Sequence, residues 1–266
     1  MGSERVVQSA PVGGAPTDAR VADLALDGER HIPSLDPESV NHYRHMTAYH
    51  FATRFVRGRD VLDYGCGAGY GANFLLRTAG VRSLAAADVS HAALEHCRRT
   101  YPDLGNIFTR ITPGARLEWP DGSFDVTLMF QTIEHVSDDA GLLREIRRVL
   151  RPGGLLILTT PNVLLTRGDP AHPLNVFHVR EYDPAVLRQV CGTAFEEVEE
   201  LGVRGSLRVS GAGLGAERWL AWRAIRKARR LLFPPDYVAP VSLADFVVSR
   251  RGLSRALDLL FVCHRR

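Results

Sequence analysis

The stretch "LDYGCGAGYG", Leu62 to Gly71, decides the fold: four glycines stand at every second position from Gly65, behind a single aspartate, Asp63. A short apolar run, "DVLDYG" (60 to 65), leads into it, and a helix-like segment, "YGANFLLRTAG" (70 to 80), leads out. A bare turn between a strand and a helix lets a ligand approach the backbone closely, and the helix N-terminus offers N–H donors and a partial positive charge. Several ligands fit. Gly67, Gly69 and Ala72 loosely meet the dinucleotide pattern G-x-G-x-x-G/A, which keeps a nicotinamide or flavin reading open. The Walker pattern is absent, which removes the P-loop.

Outward from the loop, the same strand-then-helix rhythm continues. "SLAAADV" (83 to 89) reads as a strand and "HAALEHCRRTY" as a helix; "NIFTRI" (106 to 111) is a weaker strand. "FDVTLMF" (124 to 130) is a strong one, followed by a helix at "DDAGLLREIRRVL" (138 to 150) and the fully apolar strand "LLILTT" (155 to 160). Buried parallel strands read as continuous apolar runs and their crossovers must be helical, so the expectation is an α/β fold with helices on both faces. "RPGG" (151 to 154) stops the preceding helix. Upstream, 38 to 56 reads as a helix; downstream, "DPAVLRQVCGTA" reads as a helix, "FEEVEELGV" (195 to 203) as a strand and "ALDLLFVCHRR" (256 to 266) as a closing strand.

Composition sets the outer limits. The chain has 266 residues, 45% hydrophobic and 24% charged, and no apolar run reaches the roughly 20 residues of a membrane span. The N-terminus lacks the apolar core of a secretory signal, so the expected compartment is the cytoplasm. Cys66, Cys97, Cys191 and Cys263 are scattered and form no C-x-x-C, which predicts reduced thiols. A net charge of +3 does not mark a nucleic-acid binder. The expected organisation is a flexible tail over 1–27, a helical cap over 28–57, and one domain over 58–266 with an irregular insert from 204 to 255.

Two aspartates narrow the ligand. Asp63 ends the first strand, where a carboxylate suits an ammonium better than a pyrophosphate. Asp88 ends the next, where a carboxylate accepts from both hydroxyls of a ribose. Together they describe a nucleoside carrying an amino acid. The local alternatives are a turn residue for Asp63 and a helix N-cap for Asp88.

The segments "VLDYGCGAGYG", "AADVS", "WPDGSFDVTLMFQTIEHV" and "LLREIRRVLRPGGLLILTTPN" follow one another across about residues 60 to 162. In this order and spacing the chain resembles the class I S-adenosylmethionine-dependent methyltransferases, in particular the methyltransferase-11-like group. "GERHIP" (28 to 33), "NVFHVREYD" (175 to 183) and "ADFVVSRRGLSRALDLLFVC" (244 to 263) resemble a bacterial subgroup of sugar and polysaccharide O-methyltransferases. The resemblance implies a Rossmann-like, seven-stranded, mostly parallel sheet with an antiparallel final strand, and S-adenosylmethionine as cofactor. It places Asp63, Gly65 and Gly67 at the methionine part, Asp88 with Val89 at the ribose, and Gln131 beside the sulfonium. Tyr43, Arg44 and His45 come from the preceding helix, with Arg44 the better partner for the methionine carboxylate. The family's aspartate near adenine is missing; the segment reads "ITPGARLEW", leaving backbone groups or apolar contacts around Ala115 to Leu117.

A sulfonium is an activated leaving group, so the protein must align a nucleophile and, for a hydroxyl, remove its proton. "FQTIEHV" offers Glu134 and His135 where this fold opens its acceptor pocket, and His135 has the unperturbed pKa of a general base, about 6.5. The next loop contributes Asp169, His172, His178, Arg180 and Glu181. The expected catalytic set is His135, Glu134 and His178. The local alternative is that His178 and Glu181 only lock the loop by hydrogen bonds. A divalent cation is a further option, on His135, His178 and Glu181 with Glu134 nearby. The [DNS]-P-P-[FY] segment of amino-directed nucleic-acid methyltransferases is replaced by "FQTIEH", so nucleic acid is not the expected acceptor; a small molecule or glycan is.

"ERWLAWRAIRKARRLLFPP" reads as a basic amphipathic helix over 218–232. It is taken as a lid or packing helix. Its alternatives are a homodimer contact, a site for an anionic acceptor, and peripheral membrane contact.

Overall fold

The computed structural model describes residues 39–166, 173, 175–206, 209 and 241–266. The tail, "GERHIP", Asp169, His172 and the basic segment 218–232 lie outside the described residues. The described chain begins with α1 (Val40–Val56) and then alternates β1 (Asp60–Tyr64), α2 (Tyr70–Thr78), β2 (Ser83–Asp88), α3 (His91–Thr100) and β3 (Phe108–Arg110). β4 (Phe124–Phe130), α4 (Asp139–Val149), β5 (Leu150–Pro161) and the short α5 (Val163–Thr166) follow. The chain closes with α6 (Pro184–Gly192), β6 (Glu197–Gly205), β7 (Phe246–Ser249) and β8 (Asp258–His264).

The strands form one sheet in the order β3-β2-β1-β4-β5-β8-β6-β7. β1 pairs in parallel with β2 and β4, and β4 with β5, whereas β8 runs antiparallel between β5 and β6. The chain steps outward from β1 to β3 and then returns to β4 on the other side of β1. That reversal opens a crevice at the carboxyl ends of β1 and β4, the usual ligand position in open α/β sheets.

Strand alternation explains the two cores. Val61, Leu128, Ile157 and Leu260 point to one face with Ala52 and Val56 of α1, Leu75 of α2 and Leu94 of α3. Their neighbours Leu62, Met129, Leu156 and Phe261 point to the other, with Leu143 and Ile146 of α4 and Leu187 of α6. Both faces are buried, so every strand residue can be apolar and the period-2 polarity is lost.

Two expectations change. The sheet has eight strands where seven were expected: β7, from the "DFVVS" segment assigned to the insert, pairs antiparallel with the outer edge of β6. Its register runs from Gly202↔Ser249 to Gly205↔Phe246, so Arg204 and Gly205 belong to the β6 ladder. "RPGG" also does more than stop a helix. Leu150 already pairs with Phe124, and the ladder resumes at Val126↔Leu155, so 151–154 bulge out of β5.

Candidate active site

The glycine loop is built by left-handed backbone. Gly65, Gly67 and Gly69 have φ of +79°, +52° and +76°, a region that L side chains rarely adopt. The N–H groups of Gly65 and Cys66 both donate to Ala87 O, at 2.7 and 3.0 Å, tying the loop to β2. Two glycines are also needed for space. A Cβ on Gly65 would stand 2.3 Å from Thr132 Oγ1, and one on Gly71 would stand 1.9 Å from the ring of Tyr49. At Gly67 a Cβ would meet no heavy atom within 4 Å, so open space lies over that turn.

That space belongs to a cavity of about 870 Å³ at the carboxyl ends of the strands. Gly65, Gly67, Asp88 and Val89 line it, as do Arg44, His45 and Tyr49 of α1 and Gln131, Glu134, His135 and His178. Asp88 Oδ2 accepts from Gly67 N–H at 2.9 Å and Oδ1 from Ser90 N–H at 2.8 Å. The helix N-cap is Ser90, so Asp88 instead staples the loop to β2. Ala115, Arg116 and Leu117 form part of the wall, but the Leu117 N–H is already taken by Glu145 Oε1 at 2.7 Å. What that backbone N–H would offer a ligand is therefore spent, while Leu117, Ile111 and Val89 add apolar side chains to the cavity wall.

Asp63 and Tyr43 do not line the cavity. Asp63 is sealed beneath it, with the Tyr49 hydroxyl donating to its two oxygens at 3.2 and 3.1 Å. Burial pushes its carboxyl up to about 7, helped by the nearby Asp88 charge and opposed by the Tyr49 bond. Tyr43 packs against the α1 core instead. Arg44 does reach the cavity, but its Nε stands 3.2 Å from Asp258 Oδ2 at the start of β8, an ion pair without hydrogen-bond alignment. Asp258 is fully buried, which raises its carboxyl, and Arg44 acts against that rise.

A second wall of the cavity grows from the turn after β4. Gln131 is the one described non-glycine residue with positive φ, +51°. A non-glycine residue held there costs on the order of 1–3 kcal/mol, offset here by bonds to β5: Gln131 N–H to Thr159 O at 2.9 Å and Nε2 to Thr159 Oγ1 at 3.2 Å. The strained turn directs the 3₁₀ segment Ile133–His135 into the cavity wall. The Glu134 carbonyl then accepts from Val179 and Arg180 N–H, at 2.8 and 3.3 Å, and pins the loop that carries His178. Arg180 and the buried Tyr182 both donate to Asp139 Oδ2, at 2.7 and 2.8 Å. The rings of His135 and His178 consequently meet edge to face, with centroids 4.9 Å apart.

Each of these groups has a defined partner. His178 Nδ1 lies 3.0 Å from Glu181 Oε1, and the His178 bond holds the Glu181 carboxyl below its ordinary value although burial opposes it. Glu181 Oε2 accepts from Thr166 Oγ1 at 2.7 Å. His135 Nδ1 lies 3.0 Å from Phe177 O. Glu134 Oε2 accepts from Thr160 Oγ1 at 2.9 Å, whereas Oε1 is buried with no hydrogen-bond partner. Burial raises the Glu134 carboxyl to about 7.

A methyltransferase domain family matches residues 62–158. A probable S-adenosylmethionine-dependent methyltransferase of Mycolicibacterium smegmatis is 40% identical over 76% of this chain and 75% of its own length. Another, from Mycobacterium tuberculosis, is 36% identical over 90% of this chain and 88% of its own. This chain belongs to the S-adenosylmethionine-dependent methyltransferases. The putative methyltransferase bound to a methyltransferase activator in Haloferax volcanii shares the fold, with a TM-score of 0.60 at 18% identity over 94% of this chain and 99% of that one. The cofactor expected of this methyltransferase is S-adenosylmethionine, not a nicotinamide. The open turn at Gly67 and the Asp88 carboxylate beside it leave room in the cavity for such a cofactor.

Sequence reading missed three residues of this methyltransferase site. Tyr49 stands one helical turn after His45 on the same face of α1, a spacing that could have flagged it. Asp258 is a lone carboxylate opening an apolar strand, which demands a partner. Asn175 gave no signal. Among the described residues no helix is long and apolar enough to cross a membrane, and all four cysteines are free and buried.

Proposed function

We propose that the enzyme methylates a hydroxyl group, with the acceptor oxygen at Glu134, His135 and His178. Asp88 and Val89 then serve the ribose, Gly65 and Gly67 the methionine part with Arg44 at its carboxylate, and Gln131 the sulfonium side. Asp63 acts through Tyr49. When bound, S-adenosylmethionine supplies a methyl group on a sulfonium, which leaves only alignment and proton removal to the chain. The observation that carries this reading is the pair of histidines at one cavity wall, one of them oriented by the buried carboxylate of Glu181. A base held by a third group is the arrangement that proton abstraction from an alcohol requires.

The acceptor we favour is a sugar hydroxyl, on a glycan or a glycosylated small molecule, in keeping with the "NVFHVREYD" segment that forms this wall. One observation favours a second reading. Val176, Phe177 and Val179, flanking His178, are exposed by 86, 43 and 48%. An apolar rim suits an acceptor with a hydrocarbon or prenyl tail. A phthiotriol/phenolphthiotriol dimycocerosates methyltransferase of Mycobacterium ulcerans is 35% identical over 43% of this chain, and a ubiquinone biosynthesis O-methyltransferase of Methylocella silvestris is 34% identical over 49%. Free thiols are in keeping with the cytoplasm as its compartment.

The test is incubation with methyl-labelled S-adenosylmethionine and three acceptor panels: free and lipid-linked sugars, hydroxylated quinones, and hydroxylated lipids. Label should appear as a methyl ether in one panel. In His135→Ala and His178→Ala, turnover should fall by about 10²- to 10⁴-fold while S-adenosylhomocysteine binding changes little. Label found only on nitrogen, or full turnover in both variants, would overturn the assignment.

A further inference from the structure

Glu134, His135 and His178 each bring one ligand atom within 4.8 Å of the other two. The hydrogen bonds around them orient the two rings. His135 Nδ1 faces a carbonyl oxygen, which can only accept, so Nδ1 carries a proton. Phe177 N–H donates to Asn175 Oδ1 at 3.1 Å, which turns the Asn175 amide nitrogen toward His178 Nε2 at 2.8 Å. His178 Nε2 is thus an acceptor, and its Nδ1–H donates to Glu181. Two imidazoles on one cavity wall, each held at Nδ1 by a carbonyl or carboxylate oxygen, have the outer support found around metal-bound histidines. The third member, Glu134, is 1% exposed, and its Oε1 has no hydrogen-bond partner. A buried carboxylate oxygen without a donor is costly unless something positive completes it.

We propose that Glu134, His135 and His178 bind one divalent cation of the manganese-to-zinc series, with Glu181 positioning His178. This rests on the reading that the acceptor hydroxyl lies at the same wall, because two imidazoles and one carboxylate leave open positions for its oxygen. With Nε2 on the cation, His135 and His178 act as ligands and not as bases, and the cation instead lowers the pKa of that hydroxyl, whose proton leaves to water. Nitrogen-rich ligation selects against magnesium, which prefers oxygen donors. Ligands at about 2.1 Å from a tetrahedral ion lie about 3.4 Å apart, so side-chain torsions suffice to close the site, with the Asn175 amide giving way at His178. Glu181, the ligand expected from sequence, is engaged by His178 and Thr166 and stands behind the site instead.

The experiment titrates Mn²⁺ into the full chain and reads free Mn²⁺ by electron paramagnetic resonance. Binding near one ion per chain is expected, displaced by Zn²⁺ and not by an equal concentration of Mg²⁺. Glu134→Gln and His178→Ala should each weaken Mn²⁺ by at least about tenfold while keeping S-adenosylhomocysteine binding, which reports that they are folded. No stoichiometric Mn²⁺ binding by protein that binds S-adenosylhomocysteine overturns the proposal. So does binding that survives both substitutions, and equal displacement by Mg²⁺ overturns the class of cation. Failure of the hydroxyl reading looks different: the ion binds as expected, leaving the site standing, but no ether product forms with it or without it.

Discussion

Asp63 shows what the cavity floor costs. Its carboxyl is raised to about 7 chiefly by burial, against about 3.9 in an unfolded chain. Between those values the native state holds a proton that the unfolded state has lost, so the contribution of this group to stability falls as pH rises from about 4 to 7 and is level above. At about 1.4 kcal/mol per pH unit the loss is on the order of 4 kcal/mol. Asp63→Asn keeps an acceptor for Tyr49 and removes the charge. Without ligand, the variant should gain thermal stability relative to the native chain as pH rises from about 5 to about 8; a constant difference in melting temperature would show that Asp63 is ionised throughout. Gly71 marks the same contact from the other side. A Cβ there overlaps the Tyr49 ring, so Gly71→Ala should cost about 1–3 kcal/mol in urea unfolding and weaken S-adenosylhomocysteine. Gly67→Ala meets open space and should weaken the ligand with a smaller loss of stability.

At the scale of elements, most of the sheet was legible because the chemistry is local. A strand buried on both faces must be an apolar run, and "FDVTLMF" is β4 residue for residue. β7 was not legible: it is four residues long, half exposed, and pairs only with the edge of β6. Nor could the pattern around "RPGG" reveal that Leu150 had already joined β5 before the turn, since a proline and two glycines read only as a stop. The bulge ties the chain end, with Gly153 N–H donating to Arg265 O at 2.8 Å and Arg265 N–H to Gly154 O at 2.9 Å. Its two glycines differ. Gly153 has φ +77° with nothing near its missing Cβ, whereas a Cβ on Gly154 would stand 2.8 Å from Arg151 O and 3.0 Å from Asp125 O. Gly153→Ala should therefore cost about 1 kcal/mol of conformational strain, and Gly154→Ala about 2–3 kcal/mol because backbone must move. Chemical denaturation of the two variants gives the order; the reverse order would place the strain in φ rather than in packing.

Across the whole molecule the site is assembled from distant parts of the chain, and this is what a linear reading resolves least. The glycine loop and Asp88 are neighbours of their own strand ends, so their places followed from the alternation of strands and helices. The Arg44 partnership did not, because Asp258 meets Arg44 only after β8 inserts antiparallel between β5 and β6. That ion pair joins the first described helix to the last strand at the cavity edge. With Arg44 removed, Asp258 keeps a fully buried carboxylate without its cation, a loss of the kind that costs about 3–5 kcal/mol. Arg44→Ala should lower stability by that amount near neutral pH, and Asp258→Asn in the same chain should restore most of it by removing the stranded charge. Restored stability separates two roles of Arg44. If the guanidinium also meets the carboxylate of the methionine part, the double variant will be stable and still bind S-adenosylhomocysteine weakly by calorimetry. If its sole task is to neutralise Asp258, stability and ligand affinity will return together.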